Sequence, residues 1–209
     1  MFTGLVAAVG RIVHLEPLAD TEQGGLRLHI DAGDLNLRDV SIGDSIAVQG
    51  ACMTVTALDG QGFQVDVSRE SLNLTVGLDR AGEVNLEKSL RVGDQIGGHL
   101  VSGHVDGMGE VLRFDSVGES RELVIRVPPP LARFLAYKGS ITVNGISLTV
   151  NRVTDVADGC DISINIIPHT QAVTTLRNVR AGDRVNLEVD TIARYVERML
   201  ATPRADDLK

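Results

Sequence analysis

Four small polar side chains stand two apart in two similar segments of this 209-residue chain. In Val48-Gln49-Gly50-Ala51-Cys52-Met53-Thr54-Val55, Cys52 and Thr54 alternate with apolar neighbours, and in Val143-Asn144-Gly145-Ile146-Ser147-Leu148-Thr149-Val150 so do Ser147 and Thr149. Alternate residues of an extended chain share one face. Each segment therefore turns at its glycine and then aims a thiol–hydroxyl or hydroxyl–hydroxyl pair in one direction. That pattern suits a polar, planar ligand or a hydrated rim. The two segments differ where reactivity is greatest, with a thiol in one and a hydroxyl in the other.

Gly98-His99-Leu100-Val101-Ser102-Gly103-His104 adds the ring nitrogens. Histidines five apart on an extended chain face opposite ways, which excludes a shared metal. Each reads as a hydrogen-bonded structural residue or as a group for proton transfer. A third block, Asp66-Val67-Ser68-Arg69-Glu70-Ser71 against Asn165-Ile166-Ile167-Pro168-His169-Thr170, ends a strand with polar and hydroxyl residues, as at the mouth of a ligand-binding barrel. There is no phosphate loop, dinucleotide glycine motif, nucleophile elbow or carboxylate metal cluster. The two cysteines, Cys52 and Cys160, can build neither a disulfide framework nor a zinc ligand set, and Cys160 reads as a buried thiol.

These segments sit in a chain that is written twice. Gly4, Gly10, Ser45, Gly50, Thr54, Thr75, Gly82, Asn85 and Glu87 recur as Gly103, Gly109, Ser140, Gly145, Thr149, Thr174, Gly182, Asn186 and Glu188. The offset drifts between 95 and 101, so insertions fall between conserved blocks, as loops drift in a duplicated domain. The first copy has Leu5 where the second has His104, a titratable group at a matched position. The expected domains are 1–97, 98–190 and a terminal helix and tail over 191–209.

Period-two alternation (Leu26, Leu28, Ile30; Phe63, Val65, Val67; Leu123, Ile125, Val127; Ile162, Ile164, Ile166) predicts half-buried strands. Glycine and Asp-Gly signals divide them into five or six per copy, and closing so short a sheet into a barrel removes its edges. Pro128 to Leu135 predicts a short helix entered through proline, with Asp34 to Val40 in its place in the first copy. After Asp190, Ile192, Val196, Met199 and Leu200 form an apolar stripe at helical spacing. A helix of about twelve residues is marginal alone, so it must dock on its own barrel or on copies of itself.

In order and spacing the residues from Met1 to about Leu200 resemble the riboflavin synthase family. The marks are Met1-Phe2-Thr3-Gly4-Leu5-Val6, Gly50 to Val55, Gly97 to His104, Asn144 to Val150, Ile167-Pro168-His169-Thr170, Thr174-Thr175-Leu176 and Asn186-Leu187-Glu188-Val189-Asp190. The resemblance implies an all-β fold of two tandem homologous antiparallel Greek-key barrels with a C-terminal helix. It implies a dismutation, in which two molecules of 6,7-dimethyl-8-ribityllumazine give riboflavin and 5-amino-6-ribitylaminouracil by passing a four-carbon unit, with no cofactor and no metal. It also implies a homotrimer joined by the terminal helices, with active sites between the first barrel of one subunit and the second barrel of another. Association with a lumazine synthase is left open.

By the same resemblance, His104, Ser147 and Thr149 serve proton transfer and ring binding, and Cys52, Asp190 and Ser45 assist addition or hold the ring. Phe2 shapes the pocket, and Lys138, Glu70 and Asp66 hold polar groups of the ring or ribityl chain. The remaining contacts come from Gly4, Leu5, Val6, Met53, Thr54, Val67, Ser68, Arg69, Ser71, His99, Gly103, Val105 and Leu148, and from the segment Asn165 to Thr170. The nucleophile stays open among these groups and water. Gln49, where the family usually has asparagine, puts one side-chain amide contact in doubt.

The rival on the same fold is a non-catalytic antenna protein that holds lumazine or flavin. Such proteins lose the Cys and His positions, which Cys52, His99 and His104 keep here. A net charge of −8 with scattered Lys and Arg offers nucleic acid no basic stripe, and no apolar run reaches the roughly 18 residues of a membrane span. With no signal sequence ahead of the first copy, a cytoplasmic location is expected.

Overall fold

Strands whose alternate residues are apolar can bury one face only by closing on themselves or packing on a partner, and this chain closes them twice. The computed structural model describes residues 1–19, 21 and 23–201. The first barrel holds β1 (Ala8–Pro17), β2 (Leu26–Asp31), β3 (Ser45–Val48), β4 (Ala51–Leu58), β5 (Gly62–Val67) and β6 (Gly82–Lys88), antiparallel in the closed order β1-β2-β5-β4-β3-β6. The second repeats this with β7 (Gly107–Val117), β8 (Ser120–Val127), β9 (Ser140–Val143), β10 (Ile146–Val156), β11 (Gly159–Ile166) and β12 (Arg184–Val189), in the order β7-β8-β11-β10-β9-β12. Each encloses its own core: Leu28, Ile30, Phe63 and Val65 in the first, Leu123, Ile125, Ile162 and Ile164 in the second. Register shifts in β1, β4, β7 and β10 bend the strands enough to close so small a ring.

The β3–β4 and β9–β10 hairpins turn on Gln49-Gly50 and Asn144-Gly145, whose φ values of 51°, 90°, 51° and 80° are those of the tight turn that matches strand twist. The two turns touch. A Cβ on Gly50 would lie 2.7 Å from Gly145 N, and one on Gly145 would lie 2.9 Å from Gly50 Cα, so both positions require glycine. A buried polar network surrounds them with near twofold symmetry. Asn85 Nδ2 donates to Asn144 O at 2.9 Å, and Asn186 Nδ2 donates to Gln49 O at 3.0 Å. Gln49 Oε1 accepts from Asn85 N at 2.9 Å, so the glutamine keeps the contact that its departure from asparagine put in doubt.

Short helices follow β5, β8 and β11: α1 (Arg69–Leu74), α2 (Pro129–Ala132) and α3 (Pro168–Val173). Only α2 was legible from sequence. Its expected counterpart, Asp34 to Val40, forms turns instead. The segments read as strand ends in the sequence turn into the six-residue α1 and α3 because Ser68 and Pro168 are helix-entry residues, Ser68 Oγ accepting from Ser71 N at 3.1 Å.

The terminal helix α4 (Thr191–Ala201) lies against the second barrel through Arg194 Nη2 on the Asp106 carboxylate (2.8 Å) and Arg133 Nη1 on Glu197 (3.1 Å). Its apolar stripe faces away from both barrels, with Ile192, Met199 and Leu200 64%, 77% and 83% exposed. The tail over 202–209 lies outside the described residues.

Candidate functional site

The segments that precede the two barrels cross over. Phe2 and Val101, repeat-equivalent residues, pair as an antiparallel bridge (Phe2 N to Val101 O 2.7 Å, Val101 N to Phe2 O 3.1 Å). Beyond that bridge the first arm runs to the second barrel, where Ser147 N donates to Gly4 O at 2.8 Å. The second arm runs to the first barrel, where Cys52 N donates to Gly103 O at 2.8 Å. Val6 packs against the core of the second barrel and Val105 against that of the first. Both glycines are obligatory. Their φ values are +76° and +77°, and a Cβ would stand 2.6 Å from Ser147 Cβ or 2.7 Å from Cys52 Cβ.

Two buried carboxylates fasten the arms. Glu87, on β6, accepts from Thr3 N and Thr3 Oγ1 at 2.7 Å and from Gly4 N at 2.9 Å. Glu188, at the matched position of β12, accepts from Ser102 N (2.7 Å), Gly103 N (2.9 Å) and His104 N (3.0 Å). Burial raises both carboxyls against the pull of these donors, Glu188 up to about 7 with help from Asp106. Sequence reasoning named neither as a site residue. The signal was there: Asn-Leu-Glu occurs in both copies, and a glutamate between buried strand residues needs partners.

Each copy thus presents a composite face, a barrel wall from one copy roofed by the arm of the other. On the first, Cys52 is half-buried above Phe2, Ala47 and Val101, while Thr54 points outward opposite Ser45 across β3–β4. Since Val55 pairs with Val65 and both face inward, Thr54 and Asp66 share the outer side. Asp66 holds Arg27 in a two-point ion pair (2.7 and 2.9 Å), which keeps its carboxyl below the usual range. Gly103 lies directly over Cys52, and the next residue, His104, is exposed with no side-chain hydrogen bond among the described residues.

On the second face Ser147 occupies the place of Cys52 and Thr149, exposed opposite Ser140, that of Thr54. Here the neighbouring ring is His99. Its Nδ1 is 2.7 Å from Ser147 Oγ, and its N donates to Thr3 O at 3.1 Å. Burial lowers the His99 pKa and the charge of Asp190 partly restores it, so the imidazole is neutral near pH 7 and can accept a proton. Asp190 is held at the start of α4, its Oδ1 accepting from Ile192 N at 2.8 Å. Lys138 stands beside this face, its N donating to Val150 O (2.7 Å) and its Nζ to Asn151 Oδ1 (3.1 Å). It takes a left-handed φ of 63° where the first copy has Gly43 at 95°, a backbone cost of about 1 kcal/mol or more.

The other candidates divide by direction. Met53, Val67 and Ile166 point into the barrel cores and Leu148 packs against one, so of these only the backbone can meet a ligand on the faces. Ser68, Arg69, Glu70 and Ser71 belong to the entry and first turns of α1. Arg69 is tied to Gly24 O at 2.6 and 2.9 Å. Ile167, Pro168 and His169 are exposed around the start of α3, with Thr170 half-buried, and Asn165 shares the outer side with Thr149. Leu5 is 51% exposed and roofs the second face as His104 roofs the first.

Among the described residues, surface cavities of ≈ 410 to 630 Å³ include one lined by the candidate Ser45. Both faces are open walls. Among the described residues no group of His, Cys, Asp and Glu is placed to hold a metal, and no helix is long and apolar enough to cross a membrane. Cys160 is buried in the second core, where desolvation pushes its thiol up to about 11.

The lumazine binding domain family matches residues 3–89 and again 102–190. Among curated proteins, the riboflavin synthase of Photobacterium phosphoreum is 41% identical, with 99% of this chain and 92% of that protein aligned. That of Mycobacterium tuberculosis is 43% identical (96% and 98%), and that of Schizosaccharomyces pombe 38% (100% and 98%). Among solved structures, LumP complexed with riboflavin superposes with a TM-score of 0.78 at 25% identity, over 90% of this chain and 99% of that one. LumP complexed with 6,7-dimethyl-8-(1'-D-ribityl)lumazine gives 0.76 at 24%, with the same coverage.

Proposed function

The chain belongs to the riboflavin synthase family, with the lumazine binding domain present twice, and we propose that it converts two molecules of 6,7-dimethyl-8-ribityllumazine into riboflavin and 5-amino-6-ribitylaminouracil. The carrying observation is the pair of matched faces with unmatched chemistry. Each would take one planar lumazine against its outward hydroxyls, Thr54 or Thr149. A thiol waits on one face and a hydroxyl–imidazole pair on the other. Two copies of one substrate, used in two roles, call for that arrangement. What one lumazine loses as a four-carbon unit the other gains, so the reaction balances without an outside oxidant or reductant.

The chemistry begins with a proton. The C7 methyl of a lumazine is acidic because its anion delocalises into the ring, and a neutral base with a depressed pKa can take that proton at neutral pH. His99 with Ser147 is the unit that fits, with Asp190 stabilising the imidazolium that results. Cys52 on the other wall is placed to add to, or lie against, the second ring, and His104 beside it to exchange protons there. Glu87 and Glu188 act through the arms as positioning residues.

The open walls support a second part of the proposal, that the first face of one subunit closes on the second face of another within a homotrimer. The exposed stripe of α4 is the element that would join the subunits. We place the protein in the cytoplasm. Association with a lumazine synthase enters as the source of substrate, and co-sedimentation of the two purified proteins tests it.

A binding-only antenna role is the second reading, since LumP shares the fold with lumazine or riboflavin bound. The presence of Cys52, His99 and His104 favours the enzyme. Purified protein mixed with 6,7-dimethyl-8-ribityllumazine alone should develop flavin absorbance without added cofactor. Binding with no flavin formed would make it an antenna protein.

A further inference from the structure

Away from both faces, a cavity of ≈ 440 Å³ opens on the seam between the barrels. Its floor is polar and deeply placed: Gln49, Asn144 and Thr175 are 8%, 3% and 5% exposed. The acceptors of the two amides are used, Gln49 Oε1 by Asn85 N at 2.9 Å and Asn144 Oδ1 by Asn186 N at 2.8 Å. Their donors are not. Among the described residues Asn144 Nδ2 donates to no protein group. Gln49 Nε2 reaches only Thr175 Oγ1 at 3.5 Å, a length at which little hydrogen bonding remains. Asn144 Nδ2 and the weakly held Gln49 Nε2 are thereby left open to an acceptor placed in the cavity.

The rim is cationic. Arg11, Arg80 and Arg184 line it, and among the described residues Arg80 and Arg184 make neither an ion pair nor a side-chain hydrogen bond. Two carboxylates line it as well, each with partners of its own: Glu83 accepts from Arg177 (2.9 Å) and Asn178 (2.7 Å), and Asp183 from Arg180 N (2.7 Å). The wall thus sets three arginines against two carboxylates, an excess of positive charge in a chain of net charge −8.

We propose that the seam cavity binds a phosphate group, free or carried on a small molecule. Guanidinium groups meet phosphate oxygens in forked pairs, and the amide and hydroxyl donors of the floor complete a donor set for a tetrahedral anion. The cavity lies within the roughly 300–1,000 Å³ range of small-molecule sites, with room beyond the anion itself. The lumazine and uracil of the proposed reaction carry no phosphate, so this is not a further substrate site. Its wall comes from both copies, Arg11, Arg80 and Gln49 from the first and Asn144, Thr175 and Arg184 from the second. An occupant would therefore tie the barrels together and stabilise the fold.

The test titrates the full-length protein with inorganic phosphate and, separately, with adenosine monophosphate. Both are followed by calorimetry and thermal unfolding at constant ionic strength, with chloride as control. Saturable binding by either probe, with a Tm rise beyond the chloride control, is expected, and the tighter probe identifies the source of the anion. The double variant Arg80→Ala/Arg184→Ala should bind about tenfold more weakly or worse, while its Tm without ligand stays that of the parent because neither side chain loses a partner. Absence of saturable binding for both probes, or unchanged affinity in the double variant, overturns the proposal.

Discussion

Ser147 Oγ lies 2.7 Å from His99 Nδ1, and the histidine reaches it from the junction between the copies. On the first face, among the described residues, no ring is hydrogen-bonded to Cys52, and His104 beside it has no side-chain partner. Among the described residues the two copies thus present two similar walls and one hydroxyl–imidazole pair. This asymmetry is what a reaction between two identical molecules in different roles requires.

His99→Gln should lower turnover by about a hundredfold, within the general range for losing an acid–base group, while lumazine still binds. The pH profile separates this from a structural role. Burial lowers the His99 pKa below its ordinary 6.5, so the neutral base is lost only as pH falls through that depressed value, and the acid limb of kcat/KM should lie below 6.5. Asp190→Asn removes the charge that holds the pKa up and should move the limb lower still. A limb that does not respond to Asp190→Asn assigns proton transfer to another group, with His104 the next candidate.

Gly103→Ala tests the crossing of the arms. The added methyl would stand 2.7 Å from Cys52 Cβ at a φ of +77°, so the arm must lift or the backbone must change. Left-handed strain and the clash together should destabilise the fold by about 2 kcal/mol or more and lower turnover with it. Equilibrium denaturation with a turnover assay checks this. Gly82→Ala, where a Cβ meets nothing within 4 Å, is the matched control and should be close to neutral.

Fold and site were not equally legible in the sequence. Strands such as Leu123-Ile125-Val127 were readable because a barrel wall writes its period directly into the residues, and the duplication because matched blocks kept their spacing. The hydroxyl pairs were readable for the same reason: Cys52 and Thr54, like Ser147 and Thr149, must point together on a strand. The arm crossing was not. Nothing local in Phe2 to Val6 says that this segment leaves its own barrel, since that follows from a long-range pairing with Val101. The His99–Ser147 contact was hidden for the same reason, its partner lying on another strand, whereas the difference between His104 and Leu5 is visible in one dimension. Gly4 and Gly103 carried the clue, as glycines kept in both copies where a crossing chain presses on a wall.

Glu188 supplies a pH test of the arm itself. Its carboxyl is raised in the folded chain to about 7 from an ordinary 4.5, so folding takes up a proton across that window. Stability from this group is fully present below about pH 4.5 and is lost as pH rises to about 7. Unfolding free energy measured from pH 4 to 8 should fall across the window, and Glu188→Gln should flatten the decline. The variant should also be less stable at every pH, because a single amide oxygen cannot accept from the three N–H groups of Ser102, Gly103 and His104. A slope identical in the two proteins would mean that Glu188 titrates like an exposed carboxyl.

The stripe of α4 makes the last prediction. Met199 and Leu200 are 77% and 83% exposed and touch neither core, so Met199→Asp/Leu200→Asp has no packing within one subunit to lose. An apolar helical face of this kind is stable in water mainly when another surface covers it. If matching helices cover it in a homotrimer, the double variant should sediment as a monomer, keep its unfolding cooperativity and still bind lumazine. Turnover should fall by about tenfold or more, because a first-barrel wall and a second-barrel wall from different subunits no longer meet. A monomeric variant with undiminished turnover would place the whole reaction within one chain, and a variant that remains trimeric would move the subunit contact to another surface.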